Sequence, residues 1–363
     1  GAQSDGVVLC LRAGYVQRRD AKTCRDRLLQ AEVKLLGVVL NRHQGVEGRY
    51  RSGYSGAYGS LLRHGRGLWR ESARPFLRFR QRLRAGLPAV EEGGCGSAVI
   101  DLHLHLLPGV DDGAPSLAQA IEMARIAAAD GCTVLVATPH QRRDEWANDD
   151  RERLAERLAE LAAKLPQTSQ GSLPELRLGG EVRVDSDLLA DLAKPGRGGV
   201  LSLAGSRYLL LEFEPSGFGP DPVELVHELR AEGWWPIVAH PEVVPFFWEA
   251  SDGLLAHLVE AGALFQVTAM SVTGEFGKGA KERVWELLRA GCVQFVASDS
   301  HRPDWRPPGL ARARKVIARE LGEALATDLT ENHPRAVLDD RPLAGAASAG
   351  DAPRLQAAPG AGR

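Results

Sequence analysis

Two histidines and two aspartates, His103, His105, Asp111 and Asp112, fall inside the stretch Val99–Gly113. The histidines are two apart at the end of an apolar run. Side chains on a strand alternate, so both imidazoles point the same way. The run breaks at Pro108-Gly109 and the carboxylates follow. Imidazole with carboxylate suits borderline-hard divalent ions such as Zn, Mn or Fe. A lone His-x-His is a weak signal, but this one recurs. His140, Glu181, Glu212, His240 and the pair Asp299/His301 each stand at or near the end of another apolar run, and five of the ten histidines lie at such ends. Independent structural histidines have no reason to share one rim. Asp299-x-His301 is expected to repeat the geometry of His103-x-His105. Glu214 rivals Glu212, since it shares that strand face.

The elements that must carry these residues alternate. A strand over Val99–Leu104 precedes a helix over Leu117–Asp130, with Ser116 as N-cap and Gly131 after it. Strands are expected over Thr133–Thr138, Leu176–Val184, Tyr208–Phe213, Pro236–Ala239, Leu264–Val267 and Val293–Ser298. Helices are expected over Asp149–Leu165, Pro222–Glu232, Gly253–Ala261 and Lys281–Ala290. About seven β/α units point to a barrel-like α/β fold, in which functional loops gather at the C-terminal ends of the strands.

Composition narrows the class. The 363 residues are 25% charged and 44% hydrophobic, with a formal net charge of −2, so overall charge implies no nucleic-acid or membrane partner. No apolar run approaches the ~18 residues needed to span a bilayer. The start carries no signal-peptide pattern, and Gly1 leads almost at once into an apolar run, which reads as a piece of a longer protein. Five scattered cysteines without a C-x-x-C pair argue against a disulfide framework or thiolate zinc site and fit a reducing cytoplasm.

Residues 1–48 form a strand–helix–strand pattern: Gly6–Arg12, Arg19–Ala31 and Leu35–Leu40. That length favours a parallel βαβ crossover. Asp5–Leu9, Arg12-Ala13-Gly14 and Leu36–Arg42 resemble the C-terminal end of the bacterial P-loop tyrosine kinases that govern capsule and exopolysaccharide export. The resemblance implies a tyrosine-rich tail, and Tyr50, Tyr54 and Tyr58 are three of the chain's five tyrosines. No G-x-x-x-x-G-K-[ST] occurs, so this stretch cannot transfer phosphate from ATP. Residues 49–97 continue with the arginine-rich Leu61–Leu87 and the linker-like Pro88–Gly96. The basic stretch suits contact with an anionic membrane surface or a phosphorylated partner, and equally a solvated linker helix. Residues 339–363, rich in Ala, Gly and Pro, read as a disordered tail.

Residues 98–338 are similar to the polymerase-and-histidinol-phosphatase (PHP) superfamily. Within it they resemble the manganese-dependent bacterial protein-tyrosine phosphatases of capsule loci. The matching motifs are Asp101–Gly113, Ala137–His140, Gly179–Arg183, Leu211–Phe213, Ile237–Glu242, Ala297–His301 and Arg306-Pro307-Pro308. The resemblance implies a distorted (β/α)7 PHP barrel. It also implies a centre of up to three divalent ions, usually manganese (Mn2+), with Fe, Zn or Mg as alternatives. The implied ligands are His103, His105, Asp112, His140, Glu181, Glu212, His240, Asp299 and His301.

The implied reaction is hydrolysis of phosphotyrosine on a protein, with a tyrosine-rich kinase tail as partner. No cysteine has an arginine six positions on, so the C-x₅-R loop of thiolate phosphatases is absent. Arg306 is the choice for bidentate binding of phosphate oxygens, and Asp111 for orienting a ligand. The family usually has arginine where this chain has Val243, which shifts attention to Arg183, Arg142 and Arg143. Two other readings stand: a PHP phosphoesterase on a small metabolite such as histidinol phosphate, or a non-catalytic regulatory module. The oligomeric state stays open.

Overall fold

The computed structural model describes residues 7–12, 35–41, 98–165, 173–217, 219–249 and 253–343. The first two segments are strands β1 (Val7–Arg12) and β2 (Leu35–Asn41), which pair in parallel with Val8 opposite Gly37 and Arg12 opposite Asn41. Parallel pairing is what a strand–crossover–strand pattern requires. The helix expected at Arg19–Ala31, the tyrosine cluster and the arginine-rich stretch lie outside the described residues.

From residue 98 onward the chain alternates strands and helices. The strands are β3 (Val99–Leu104), β4 (Cys132–Ala137), β5 (His140–Gln141), β6 (Glu175–Leu178), β7 (Glu181–Arg183), β8 (Tyr208–Glu212), β9 (Trp235–Ala239), β10 (Leu264–Thr268) and β11 (Phe295–Ala297). They form a three-stranded sheet, β3-β4-β6, and a six-stranded sheet, β11-β10-β9-β8-β7-β5. Every pairing is parallel. The result is an α/β fold built on a curved, parallel-stranded half-barrel. A bridge joins Leu104 to Ser300. Around it His105 N–H donates to Ser300 O (2.8 Å) and Asp299 N–H to His103 O (2.8 Å), so the last strand's extension returns to the first strand.

Two apolar clusters divide the strand residues by parity. Leu209 and Leu211 of β8 pack with helix residues such as Met123, Leu225, Leu229 and Val284. Tyr208 and Leu210 pack instead with Ile100, Val134, Trp235, Ile237 and Phe295. The first cluster fills the layer between strands and helices; the second fills the space that the strands enclose. Ala336, Val337 and Leu343 belong to that inner cluster. Residues 339–343, expected to open a disordered tail, instead continue this packing, and the rest of that stretch lies outside the described residues. Leu343 is buried, Tyr208 Oη donates to Arg341 O at 2.6 Å, and Asp340 accepts from Arg207.

Helix starts follow side-chain chemistry. Ser116, Asp150 and Asp221 each accept a backbone N–H at the start of α1 (Leu117–Ala129), α2 (Arg151–Lys164) and, after α3 (Leu188–Leu192), α4 (Pro222–Ala231). Each such cap stabilises its helix by about 1 kcal/mol. The expected strand Leu176–Val184 is broken in two at Gly179-Gly180. A Cβ on Gly180 would stand 2.4 Å from Gln141 Oε1 and 3.2 Å from Leu201 Cβ. That Oε1 accepts Leu201 N–H (2.9 Å), which fixes the Gln141 side chain where a β-carbon would go. The expected strand Val293–Ser298 shortens to β11, and Asp299 beyond it adopts a left-handed conformation (φ 50°). The helices Ala311–Leu321 and His333–Leu338 are additions that the periodicity argument did not supply.

Candidate metal centre

Sequence order brings the nine candidate ligands to one end of the strands. His103 is the penultimate residue of β3 and His105 follows the strand. His140 opens β5, Glu181 opens β7, Glu212 ends β8, and His240 follows β9 in a left-handed turn (φ 34°). Asp112 lies in the loop after β3, and Asp299 and His301 follow β11. His103, His105, Glu181, Glu212, His240, Asp299, His301 and His140 are all buried, whereas Asp112 is partly exposed. β5 and β7 follow β4 and β6 after two-residue breaks, so His140 and Glu181 stand just beyond the C-terminal ends of β4 and β6, and one rim collects all nine.

Glu181 is the hub. Its Oε2 lies 3.6 Å from His103 Nε2, 3.5 Å from His105 Nε2 and 2.6 Å from His140 Nδ1, and its Oε1 lies 2.8 Å from His240 Nε2. Asp299 Oδ1 is 3.4 Å from both His103 Nε2 and His105 Nε2. Asp112 Oδ1 is 3.3 Å from His140 Nε2 and 3.5 Å from His301 Nε2. Three overlapping groups bring their donor atoms within 4.8 Å of one another: His105/Asp112/His140/His301, His103/His105/Glu181 and His140/Glu181/Glu212. The expected repeat of His103-x-His105 geometry by Asp299-x-His301 does not hold. The left-handed Asp299 turns the chain, so His301 meets Asp112 while Asp299 meets His103 and His105.

Three imidazoles are aimed from behind. Nδ1 of His105 is 2.8 Å from Asp111 Oδ2, Nδ1 of His103 is 2.9 Å from Gln266 Oε1, and Nδ1 of His301 is 3.0 Å from the Asp299 carbonyl. The Asp111 carboxylate and the Asp299 carbonyl can only accept, and Gln266 presents its Oε1, which places the proton on Nδ1 and leaves the Nε2 lone pair facing the cluster. The buried atoms His103 Nε2, His105 Nε2, His140 Nδ1, His240 Nδ1, Asp112 Oδ1 and Glu181 Oε2 have no hydrogen-bond partner. Buried polar atoms are normally satisfied. Four of these, His103 Nε2, His105 Nε2, Asp112 Oδ1 and Glu181 Oε2, make cluster contacts of 3.3–3.6 Å, about the spacing of donors held ~2.1 Å from a common ion. The donor set fits divalent metal.

Charge agrees with that fit at the carboxylates and at His301. At His105, His140 and His240 burial is outweighed by neighbouring carboxylates, which raise all three, so an ion bound there would displace protons from those rings. Burial alone raises the pKa of Glu181, but the imidazoles of His140 and His103 hold it well below the usual carboxylate range. Burial likewise raises Asp299, and Arg306 and His103 overcome it. Burial lowers His301, helped by His105 and Arg306. Carboxylate and neutral imidazole are the ligating forms. Among the described cysteines, Cys132 and Cys292 are buried, and burial pushes both thiols up, which leaves no thiolate nucleophile there.

The arginines separate. Arg306 donates to Asp299 Oδ2. Arg183 donates to Glu212 Oε2 (3.0 Å) and to Glu214, so Glu214, the rival ligand, faces Arg183. Arg143 also donates to Glu212 (2.9 Å to Oε2). Arg142 bonds Asp185 and Asp191 instead, away from the cluster. Val243 stands in the turn Pro241–Val243, where its N–H donates to His240 O at 3.0 Å.

Several residues of the site escaped the sequence reading. Gln266 looks like any polar residue on a strand. Asp101, the first residue of Asp-x-His-x-His, accepts from Ser298 N (3.0 Å) and ties β3 to the segment that carries Asp299. Glu242 accepts from Thr268 N and Oγ1 (2.9 and 2.8 Å), and so anchors the turn after His240. The indoles of Trp146 and Trp305 stand 5.5 Å and 5.6 Å from the rings of His140 and His301. Proximity in sequence to those histidines was their only signal.

Comparison with known proteins agrees with this geometry. Residues 99–339 match the family described as "Capsular polysaccharide synthesis, CpsB/CapC". The tyrosine-protein phosphatase YwqE of Bacillus subtilis is 36% identical over 239 residues, 64% of this chain and 89% of that protein. The tyrosine-protein phosphatase CpsB of Streptococcus pneumoniae is 26% identical over 248 residues, 67% of this chain and 99% of that protein. A solved structure described under "YwqE from Bacillus subtilis and CpsB from Streptococcus pneumoniae, unique metal-dependent tyrosine phosphatases" superposes with a TM-score of 0.58. It shares 33% identity and covers 67% of this chain and 95% of that one. The family match starts at residue 99, so it leaves out residues 1–98. With two thirds of its length matched, the chain belongs to the CpsB/CapC family of capsular polysaccharide synthesis.

Proposed function

We propose that this chain is a metal-dependent protein-tyrosine phosphatase acting in capsule or exopolysaccharide synthesis. The observation that carries the reading is the convergence of unpartnered, buried imidazole and carboxylate atoms around Glu181. The names of its relatives support the reaction. On this reading residues 98–338 form the catalytic domain, a distorted seven-unit barrel, and His103, His105, Asp112, His140, Glu181, Glu212, His240, Asp299 and His301 hold up to three divalent ions. Manganese is the proposed metal. A tyrosine-rich kinase tail in the cytoplasm is the proposed substrate; among the described residues no helix is long and apolar enough to cross a membrane.

A phosphate monoester resists attack because its oxygens are charged and its leaving oxygen is basic. Bound divalent ions supply Lewis-acid charge against those oxygens and a more acidic water. The chain's own groups do the rest. Asp111 and Gln266 keep the Nε2 lone pairs of His105 and His103 on the cluster. Arg306, buried beside Asp299, presents a planar cation at the rim, suited to phosphate oxygens. Arg183 and Arg143 neutralise Glu212 from behind.

The full chain, loaded with manganese, is expected to release phosphate from a phosphotyrosine peptide faster than from histidinol phosphate. Chelator or His105→Ala should abolish that release. Activity that survives exhaustive chelation would overturn the reading.

A further inference from the structure

The two tryptophans at the rim share a construction. Each hangs from a short turn that directly follows a rim histidine. After His140, Arg143 N–H donates to Trp146 O (3.2 Å) and Arg142 N–H to Ala147 O (3.0 Å). Asn148 Nδ2 then donates to His140 O (2.8 Å) and Val110 O (3.0 Å), which clamps the turn back onto the strand end. After His301, Arg302 N–H donates to Trp305 O (3.0 Å) and His301 N–H to Arg306 O (3.0 Å). Both turns use non-glycine residues in left-handed conformations: Arg142 (φ 65°), Asn148 (φ 43°) and Arg306 (φ 58°). Such conformations persist where surroundings hold them in place.

The braced turns set the Trp146 indole nearly parallel to the His140 ring, with centroids 5.5 Å apart at 14°. They set the Trp305 indole edge-on to the His301 ring, at 5.6 Å and 82°. The two histidine rings are themselves 6.2 Å apart and share Asp112, which is partly exposed. The indoles thus flank the part of the cluster that opens to solvent. Trp305 is 41% exposed, which makes it one of two large exposed apolar side chains among the described residues. The Arg306 guanidinium carbon lies 5.7 Å from the Trp305 ring and 5.1 Å from that of Phe276. A side chain that only shielded His301 would bury its face; this one keeps apolar surface in water beside a highly polar centre. Exposed apolar surface at such a place marks binding.

We infer that Trp305, with Trp146 on the other side of the His140/His301 pair, forms an aryl-selective wall that admits the phenyl ring of a phosphorylated tyrosine and disfavours alkyl phosphates. The inference rests on the phosphatase reading above and adds the source of its selectivity. A flat ring entering toward Asp112 meets indole surface on its flanks, while Arg306 stands within reach of the phosphate end. An alkyl phosphate of the same charge gains only the second contact.

The test uses the full, manganese-loaded chain and two non-hydrolysable probes, phenylphosphonate and methylphosphonate, as competitive inhibitors of phosphotyrosine-peptide hydrolysis. In Trp305→Ala the inhibition constant of phenylphosphonate should rise by about tenfold, the worth of one good aromatic pair. That of methylphosphonate should stay within about twofold, and bound manganese should equal that of the native chain. Trp305→Phe should recover most of the phenyl preference. Equal weakening of both probes, or loss of manganese, would show that Trp305 only supports His301 and would overturn the wall. An unchanged phenyl-to-methyl ratio in an otherwise active enzyme would overturn it as well, while leaving the phosphatase reading intact. A native chain without metal-dependent hydrolysis of the peptide would sink both.

Discussion

Along a single strand of this domain the inner face changes character. At the N-terminal ends it carries Ile100, Val134, Tyr208, Trp235, Leu264 and Phe295, which pack on one another as an apolar floor. At the C-terminal ends the same positions turn polar. On β8, Tyr208 and Leu210 belong to the floor and Glu212, two residues on, belongs to the rim. On β10, Leu264 is floor, whereas Gln266 backs His103 and Thr268 holds Glu242. Each fully buried floor side chain contributes about 1.5–3 kcal/mol. Each rim charge costs desolvation and returns it only through close partners. The floor therefore holds the strands in register while the rim spends stability on orientation. The two ends should fail differently when altered.

The largest effect is expected at the hub. Glu181→Gln keeps the shape and removes the charge that four imidazoles face. It should lower kcat/KM on a phosphotyrosine peptide by more than the ~100-fold typical of supporting residues. It should also lower the manganese content measured by elemental analysis. A variant with full metal and near-native turnover would mean that the hub is structural. A smaller loss is expected one step out. Asp111→Asn keeps a partner for His105 but frees its tautomer, and should cost about 10–100-fold in metal affinity or activity, read as a shifted manganese titration. The smallest effect lies at the floor. Ile237→Val should cost about 1 kcal/mol of stability, read from urea unfolding, with metal content and kcat/KM unchanged. A floor variant that loses metal before it loses stability would erase the distinction between the two ends.

What the sequence disclosed follows the same division. His103, His105, His140, His240 and His301 stood out because each stands at or near the end of an apolar run, where a histidine is conspicuous. Glu181 was legible as one candidate ligand among nine but not as the hub; that role depends on the Gly179-Gly180 break, which passes close against Gln141. The hand of the turn at Asp299 could not be read, because aspartate tolerates left-handed backbone without requiring it. Gln266 stayed hidden because a neutral amide has no composition signal. Trp146 and Trp305 stayed hidden because an indole in a loop reads as incidental until its neighbour is known. The helices after His301 have mixed faces that periodicity alone did not resolve, yet Ala336 and Val337 from them close the floor.

The bridge between Leu104 and Ser300 has a consequence in time as well as in space. His103 and His105 leave the ribosome early, whereas Asp299 and His301, which face them across that bridge, leave near the end of the domain. A nascent or truncated chain carries an incomplete donor set and an unclosed wall of strands. On the metal-centre reading proposed above, competence to hold metal is thus withheld until nearly the whole domain has been made.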